Sequence, residues 1–412
     1  MSEEKLVPKL RFPSYSSEWH SYTLGEILTF YSTNSFSREK LNYDGGSVKN
    51  IHYGDIHTKF PSIVSISNNK DIPFINNEID LSKYSEDQYL QNGDLIIADA
   101  SEDYEDIGKA IEVKNINDEK VLAGLHTILA RDNNNITVNG FKAYLFSTNS
   151  LKTKIKIIAN GISVLGISKN NLSKLTVNVP SKNEQNDVVD FISLIDNKIE
   201  LLEQKHQYYQ EFKKFLMQQI FAQKLRFNFD DEWKQYKLKD VLTVKSSSIS
   251  INQLEENTGD YPLYGASGFL KNIDFCEMDV DYISIVKDGS GVGNLSFHEK
   301  NSSIVNTSQY LLPKKNFNIN FLYYLLQTIN LMKYVNGSSI PHIYFKDYCI
   351  EKINIPSLDE QEKIGKLFVD VDITMENLNK NINATQEFKK GLLQQMFVVQ
   401  LILSLLQNKK HI

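Results

Sequence analysis

The sequence predicts an α+β fold: two mixed α/β domains separated by a long antiparallel two-helix coiled coil, pseudo-twofold through a tandem duplication. Three observations predict it. Glu18, Trp19, Tyr22, Leu24, Ile27 and Leu28 recur as Glu232, Trp233, Tyr236, Leu238, Val241 and Leu242 at a constant offset of 214, each set preceded by Lys-Leu-Arg-Phe, at residues 9–12 and 224–227. Residues 161–221 recur as 337–397 at a constant offset of 176, matching Gly161 with Gly337, Pro180 with Pro356, Glu184-Gln185 with Glu360-Gln361, and Gln218-Gln219-x-Phe221 with Gln394-Gln395-x-Phe397. After each proline the apolar residues fall into four-three spacing. The offsets, 214 and 176, differ by 38, so the length change lies inside the globular parts.

In the first globular part, residues 95–98, 111–113 and 127–130 read as strands between turn clusters, and residues 142–158 as helix. In the second, 282–286 and 310–312 read as strands, and 321–334 as a helix capped by Asn320. Gly-bearing polar clusters punctuate both, among them Tyr53-Gly54-Asp55, Asn160-Gly161-Ile162-Ser163, Gly265-Ala266-Ser267-Gly268, Asp288-Gly289-Ser290-Gly291 and Asn336-Gly337-Ser338-Ser339.

The helices follow Pro180-Ser181 and Pro356-Ser357, where the serines can cap the first turn. The first seam reads Val188, Ile192, Ile195, Ile199, Leu202, His206, Tyr209, Lys213, Leu216, Ile220; the second reads Ile364, Phe368, Val371, Met375, Leu378, Ile382, Thr385, Lys389, Leu392, Met396. Such a heptad pattern is that of a coiled-coil strand. A helix of about 40 residues is about 60 Å long. The chain must return from the second globular part, so antiparallel pairing is expected, with a head at each end and the rod as a ruler. Lys213 and Lys389 interrupt both seams beside Phe212 and Phe388. Either the seam drifts there by one position, or Phe212, Lys213, Phe388 and Lys389 face a partner protein. The expected domains are 1–180, the helix 181–223, 224–356, the helix 357–398 and a divergent tail 399–412.

The chain is 41% hydrophobic and 11% aromatic over 412 residues, enough for packed cores. Cys276 and Cys349 have no metal-like or disulfide framework spacing, and no apolar run reaches the 18 residues of a membrane span, so a cytoplasmic protein with no membrane partner is expected. The net charge of −6 argues against a nucleic-acid partner, but its distribution argues for one. Residues 141–182 carry seven lysines and no acid, and residues 300–346 carry five lysines and no acid, at matching places in the two copies. Counterion release depends on the lysines at the contact, not on the chain total. Loop chemistry then selects candidates for double-stranded DNA. In the first half these are Lys152, Lys154 and Lys156 for phosphates, with Tyr53, His57, Asn160 and Ser163 near base edges; in the second, Lys333, Asn336, Ser338, Ser339 and His342, plus Ser267 and Lys287.

The layout of variable segment, helix, variable segment, helix resembles the specificity subunit of a Type I restriction-modification enzyme. So do the Lys-Leu-Arg-Phe starts, the Ile355-Pro356-x-x-x-Glu360-Gln361 helix entry and the Phe-Lys-Lys-x-Leu-x-Gln-Gln-x-Phe helix ends at residues 212–221 and 388–397. Segments such as Ile51-His52-Tyr53-Gly54-Asp55, Gly93-Asp94-Leu95-Ile96 and Tyr261-Pro262-Leu263-Tyr264-Gly265 are similar to that family's target recognition domains. The resemblance implies two target recognition domains, each reading half of a bipartite, asymmetric site across a spacer set by the helices. It implies docking of modification (methyltransferase) and restriction (translocase/nuclease) subunits. S-adenosylmethionine, ATP and Mg²⁺ then belong to those partners, leaving no cofactor, metal or catalytic residue to this chain. The departure is the tail: Phe397 is followed by Val398-Val399-Gln400-Leu401, unlike Phe221-Ala222-Gln223-Lys224, which puts its packing against the Lys9 to Phe12 segment in doubt.

Other classes fit less well. No two prolines are adjacent, so the Asn/Asp-Pro-Pro-aromatic motif of a DNA methyltransferase is absent. Glu112-Val113-Lys114 with Asp94 or Asp99 mimics a metal-dependent nuclease core, but without a counterpart in the second copy. An antiparallel coiled-coil adaptor that binds proteins without DNA specificity is the competing class.

Overall fold

The structure, a computed structural model, describes residues 4–254, 256–337, 339–397 and 399–403. The chain forms two compact units, Met1–Glu200 with Ile382–Ile412, and Leu201–Asn381. Each holds one globular head and parts of both long helices.

The first head is built on a five-stranded sheet ordered Thr29–Tyr31, Thr127–Arg131, Leu95–Ala98, Ala110–Lys114, Ile63–Ser65. The central strand Leu95–Ala98 reads as an unbroken apolar run because both its faces are covered. Leu95 and Ile97 enter one core with the helices, while Ile96 and Ala98 enter a second with Ile51, Ile56 and Val121. The second head repeats four of these strands, ordered Leu242–Ser246, Ser308–Pro313, Tyr282–Val286, Leu295–His298. In the first head a four-stranded sheet ordered Lys120–Ala123, Val48–Ile51, Phe74–Ile75, Leu41–Asn42 is added; the second has a three-stranded one, Gly268–Ile273, Tyr261–Gly265, Ser303–Ile304.

Two helices differ from expectation through their caps. Residues 142–158 divide into Phe141–Ser147 and Asn149–Ile158 at Thr148. Its hydroxyl donates to the Leu145 carbonyl (2.7 Å) and accepts from the Leu151 N–H (3.3 Å), ending one helix and starting the next. In the second head the helix is Ile319–Gln327, capped by Asn318 rather than Asn320: the Asn318 side chain accepts from the Phe321 N–H at 3.0 Å. A short 3₁₀ turn, Leu331–Tyr334, follows after Thr328 closes the last turn by donating to the Leu325 carbonyl.

The repeated motifs explain how each long helix begins. The helices run Lys182–Phe221 and Leu358–Phe397, 40 residues each. Buried Glu184 accepts both nitrogens of Arg11 at 2.7 Å and the Trp19 indole N–H at 3.2 Å. Glu360 accepts Arg226 at 3.0 and 2.7 Å. Gln185 accepts from the Val138 N–H and donates to the Pro180 carbonyl; Gln361 does the same with the Asn318 N–H and Pro356. Bidentate guanidinium–carboxylate pairs fix orientation as well as energy. Arg and Glu-Gln thus clamp head to helix in both copies.

The helices are antiparallel in each unit. Val188, Ile192 and Ile195 share a core with Leu392 and Met396, and Leu216 and Ile220 share one with Ile364 and Phe368. Their last residues plug the heads: Phe397 lies 6.2 Å from Trp19 and 5.3 Å from Phe141, and Phe221 lies 5.7 Å from Phe321, itself 5.9 Å from Trp233. The tail, in doubt from sequence, continues as a strand, Val399–Leu403, antiparallel to Glu4–Pro8, and the Leu10 N–H donates to the Gln395 carbonyl. Val398 and the tail residues 404–412 lie outside the described residues.

The interruption of the seam also resolves. Lys213 turns inward to Asp372 (2.7 Å), and Lys389 to Asp196, each over the ring of a head tyrosine, Tyr324 or Tyr144. The seam keeps its register, and Phe212 and Phe388 point outward, 48% and 56% exposed. The lysines are thus engaged within the helix pair, while the phenylalanines beside them stay open to solvent.

Candidate nucleic-acid interface

Both heads carry the same construction where the central strand ends. A short hairpin is closed by reciprocal backbone hydrogen bonds, Asn160 with Gly166 (3.0 and 2.7 Å) and Asn336 with His342 (2.8 and 2.8 Å). The hairpin then docks on the segment after the central strand. The Ile167 N–H donates to the Asp99 carbonyl and the Ile343 N–H to the Lys287 carbonyl. Leu165–Gly166 pairs with Ala100–Ser101, while His342 bridges Asp288 and the Gly289 N–H donates to the Pro341 carbonyl. Gly161 (φ +137) and Gly337 (φ +90) hold backbone that a side chain would strain.

In the first head, Tyr53 and His57 lie beside this hairpin. Nε2 of His57 is 3.1 Å from the carbonyl oxygen of Ala100, the strand that carries the hairpin. Tyr53 opens the helix Tyr53–Thr58 and sits edge-on to His57 (6.0 Å) and His126 (5.3 Å). His126, and Asp99, which the sequence offered only as an acid of the nuclease-like trio, complete the group: His126 has φ +53, and its Nδ1 lies 3.4 Å from Asp99. Burial pushes the Asp99 carboxyl up, and His126 pulls it back. Burial, then Arg38, hold the His52 imidazole down at about 4, so it stays neutral while it accepts from the Gly54 N–H.

The lysines are less free than their spacing implies. Lys154 donates to the Thr176 carbonyl at 2.6 Å, and Lys156 pairs with Glu105 at 2.6 Å above the ring of Tyr104. Lys152 is half-buried, and burial followed by neighbouring Lys109 lowers its pKa. Asn160 and Ser163 stand exposed on the hairpin.

In the second head, Lys287, Asn336, Ser339 and His342 are brought together by the hairpin and its docking strand. Lys287 pairs with Asp288, and His342 lies 5.0 Å from the ring of Tyr344. Lys333 pairs with Glu351 at 2.9 Å, which raises its pKa. Ser338 lies outside the described residues. Ser267 stands exposed on the turn joining Tyr261–Gly265 to Gly268–Ile273, where the Tyr264 ring packs on His298 and the Tyr264 carbonyl accepts from the Val305 N–H.

The nuclease-like trio is structural. Glu112 is buried, pairs with Lys142 at 2.9 Å and accepts from the Gly140 and Ala143 N–H groups, while Asp94 holds Arg131. Among the described residues no group of three or more His, Cys, Asp and Glu could hold a metal ion, and no helix is long and apolar enough to cross a membrane.

The sequence model of the Type I restriction modification DNA specificity domain matches residues 16–208 and 230–386, one copy per head. Among curated proteins, the Type I restriction enzyme MjaVIII specificity subunit of Methanocaldococcus jannaschii is 26% identical over 198 residues, covering 44% of this chain and 46% of that one. The putative type I specificity subunit S.MgeORF438P of Mycoplasma genitalium is 23% identical over 269 residues, covering 61% and 69%. The match thus spans about half of the archaeal relative's length. In fold, the chain is similar to the crystal structure of the Type-I restriction-modification system S subunit from M. genitalium, with a TM-score of 0.63, 17% identity, and coverage of 95% and 99%. A chain from a study of complex assembly and conformational transition of the type I R-M system gives a TM-score of 0.55 at 16% identity, covering 92% and 97%.

Proposed function

Since the chain belongs to the Type I restriction-modification DNA specificity family, we propose that it is the DNA-recognition subunit of such a complex, each head reading one half of a bipartite, asymmetric site. It works in the cytoplasm as a scaffold for methyltransferase and restriction subunits and performs no chemistry itself. One observation carries this reading: two heads of unequal loop content present the same Gly-bearing hairpin on the same strand end, each within a stretch that holds lysines and no acid. Equal scaffolds with unequal loops suit two different half-sites. Backbone phosphates supply affinity, and the loop side chains supply discrimination at base edges.

The test is binding by the chain reconstituted with its methyltransferase subunits. Sequence-selective affinity that falls steeply with salt supports the reading. Equal affinity for all duplexes, with protein partners still bound, would instead identify a coiled-coil adaptor.

A further inference from the structure

Each hairpin turn holds a β-branched aliphatic side chain out in solvent at the same place: Val164, 53% exposed, and Ile340, 67% exposed, 176 residues apart. The equivalence is geometric too. A Cβ on Gly161 would fall 2.0 Å from the Val164 carbonyl oxygen, and one on Gly337 2.5 Å from that of Ile340, so in both turns the glycine lets the chain fold back under this residue. The paired hydrogen bonds at the hairpin base and the docking onto Asp99 or Lys287 hold the turn to the sheet. Its exposed neighbours are small and uncharged, Gly161 and Ser163 in one copy and Ser339 in the other, while fully exposed Ile162 adds apolar surface to the first tip.

A single exposed aliphatic residue calls for no explanation. A pair kept exposed on anchored turns in both copies of the duplicated segment does. The occupant is a polyanion rather than an apolar protein face, because the stretches that hold the turns carry lysines and no acid of their own, although Glu105 and Glu351 from neighbouring segments pair with Lys156 and Lys333. Uncharged tips bearing exposed aliphatic side chains are suited to entering a groove and prising a base step apart.

We infer that Val164 and Ile340 are wedge residues, each pressing between two base pairs of its half-site and kinking it. Part of the specificity then comes from how readily that step unstacks, pyrimidine–purine steps being the most deformable. This rests on the reading of the heads as DNA readers.

The experiment uses the full chain with its methyltransferase subunits on duplexes of its methylation site, a single 2-aminopurine being walked through every position. The wild-type complex should brighten the probe at one step in each half-site. Val164→Ser should abolish the signal in one half-site and Ile340→Ser in the other, each lowering affinity for the cognate duplex about tenfold, with salt dependence unchanged. A probe brightened by presentation of the target base should persist in both variants. Selective binding with the same stacking signals in variants and wild type would overturn the wedge and leave the reading of the heads intact. So would variants that lose discrimination between thymine and uracil with stacking unaltered, which would mean methyl contact. A wild-type complex without sequence selectivity would overturn both.

Discussion

Lys213 on the first long helix lies 2.7 Å from Asp372 on the second, and the hydroxyl of Tyr324 donates to the same carboxylate at 2.8 Å. Lys389, Asp196 and Tyr144 repeat the arrangement in the other unit, with a Tyr144–Asp196 distance of 3.0 Å. Each trio joins both helices and a head. An apolar residue at the lysine's position would pack in any register of the seam, whereas an ion pair is satisfied in one.

Lys213→Ala is expected to cost about 1–2 kcal/mol, since the pair is partly buried and Asp372 keeps its tyrosine. Lys213→Ala with Asp372→Ala should cost less than the sum of the single changes by about 1 kcal/mol in urea unfolding. Additive costs would mean that the contact contributes nothing.

Phe212 and Phe388 stand outside the seam. Changing both to Ala should leave helicity and unfolding midpoint nearly unaltered, within about 0.5 kcal/mol as for other exposed positions. Capture of the methyltransferase subunits, followed by size-exclusion chromatography, should be lost. Reduced helicity with assembly retained would assign these side chains to folding alone.

The second head should be acid-sensitive through His298. Burial lowers its pKa to about 4, and Nε2 lies 2.9 Å from the Ser284 hydroxyl. The folded state resists protonation while the unfolded state takes a proton near pH 6.5. Stability is therefore full above pH 6.5 and declines as pH falls toward 4, by about 2 kcal/mol between pH 7 and 5. His298→Asn should flatten that part of the profile for urea unfolding; an unchanged slope would place the sensitivity elsewhere.

Much of the fold was legible because duplication prints the architecture twice. Glu184-Gln185 and Glu360-Gln361 marked the helix starts, and the heptads marked the helix pair. Their partners Arg11, Arg226 and Val138 are distant in sequence, so the clamp itself was not legible. Asn320 was a reasonable cap, yet Asn318 sits three residues before the N–H it accepts. The site was partly legible. Glycine spacing located both hairpins, but nothing local tells that Lys154 and Lys156 are engaged by Thr176 and Glu105. Nor does it tell that His126, held at positive φ by the tertiary fold, joins Tyr53 and Asp99.

The most direct test of two independent readers is methylome sequencing of a host carrying the complete complex with the wild-type chain, with Tyr53→Ala plus His126→Ala, or without the chain. The account predicts a two-part methylated motif that disappears without this chain and is relaxed in one half alone by the double substitution. A motif unchanged when the chain is removed would contradict it, as would relaxation of both halves together.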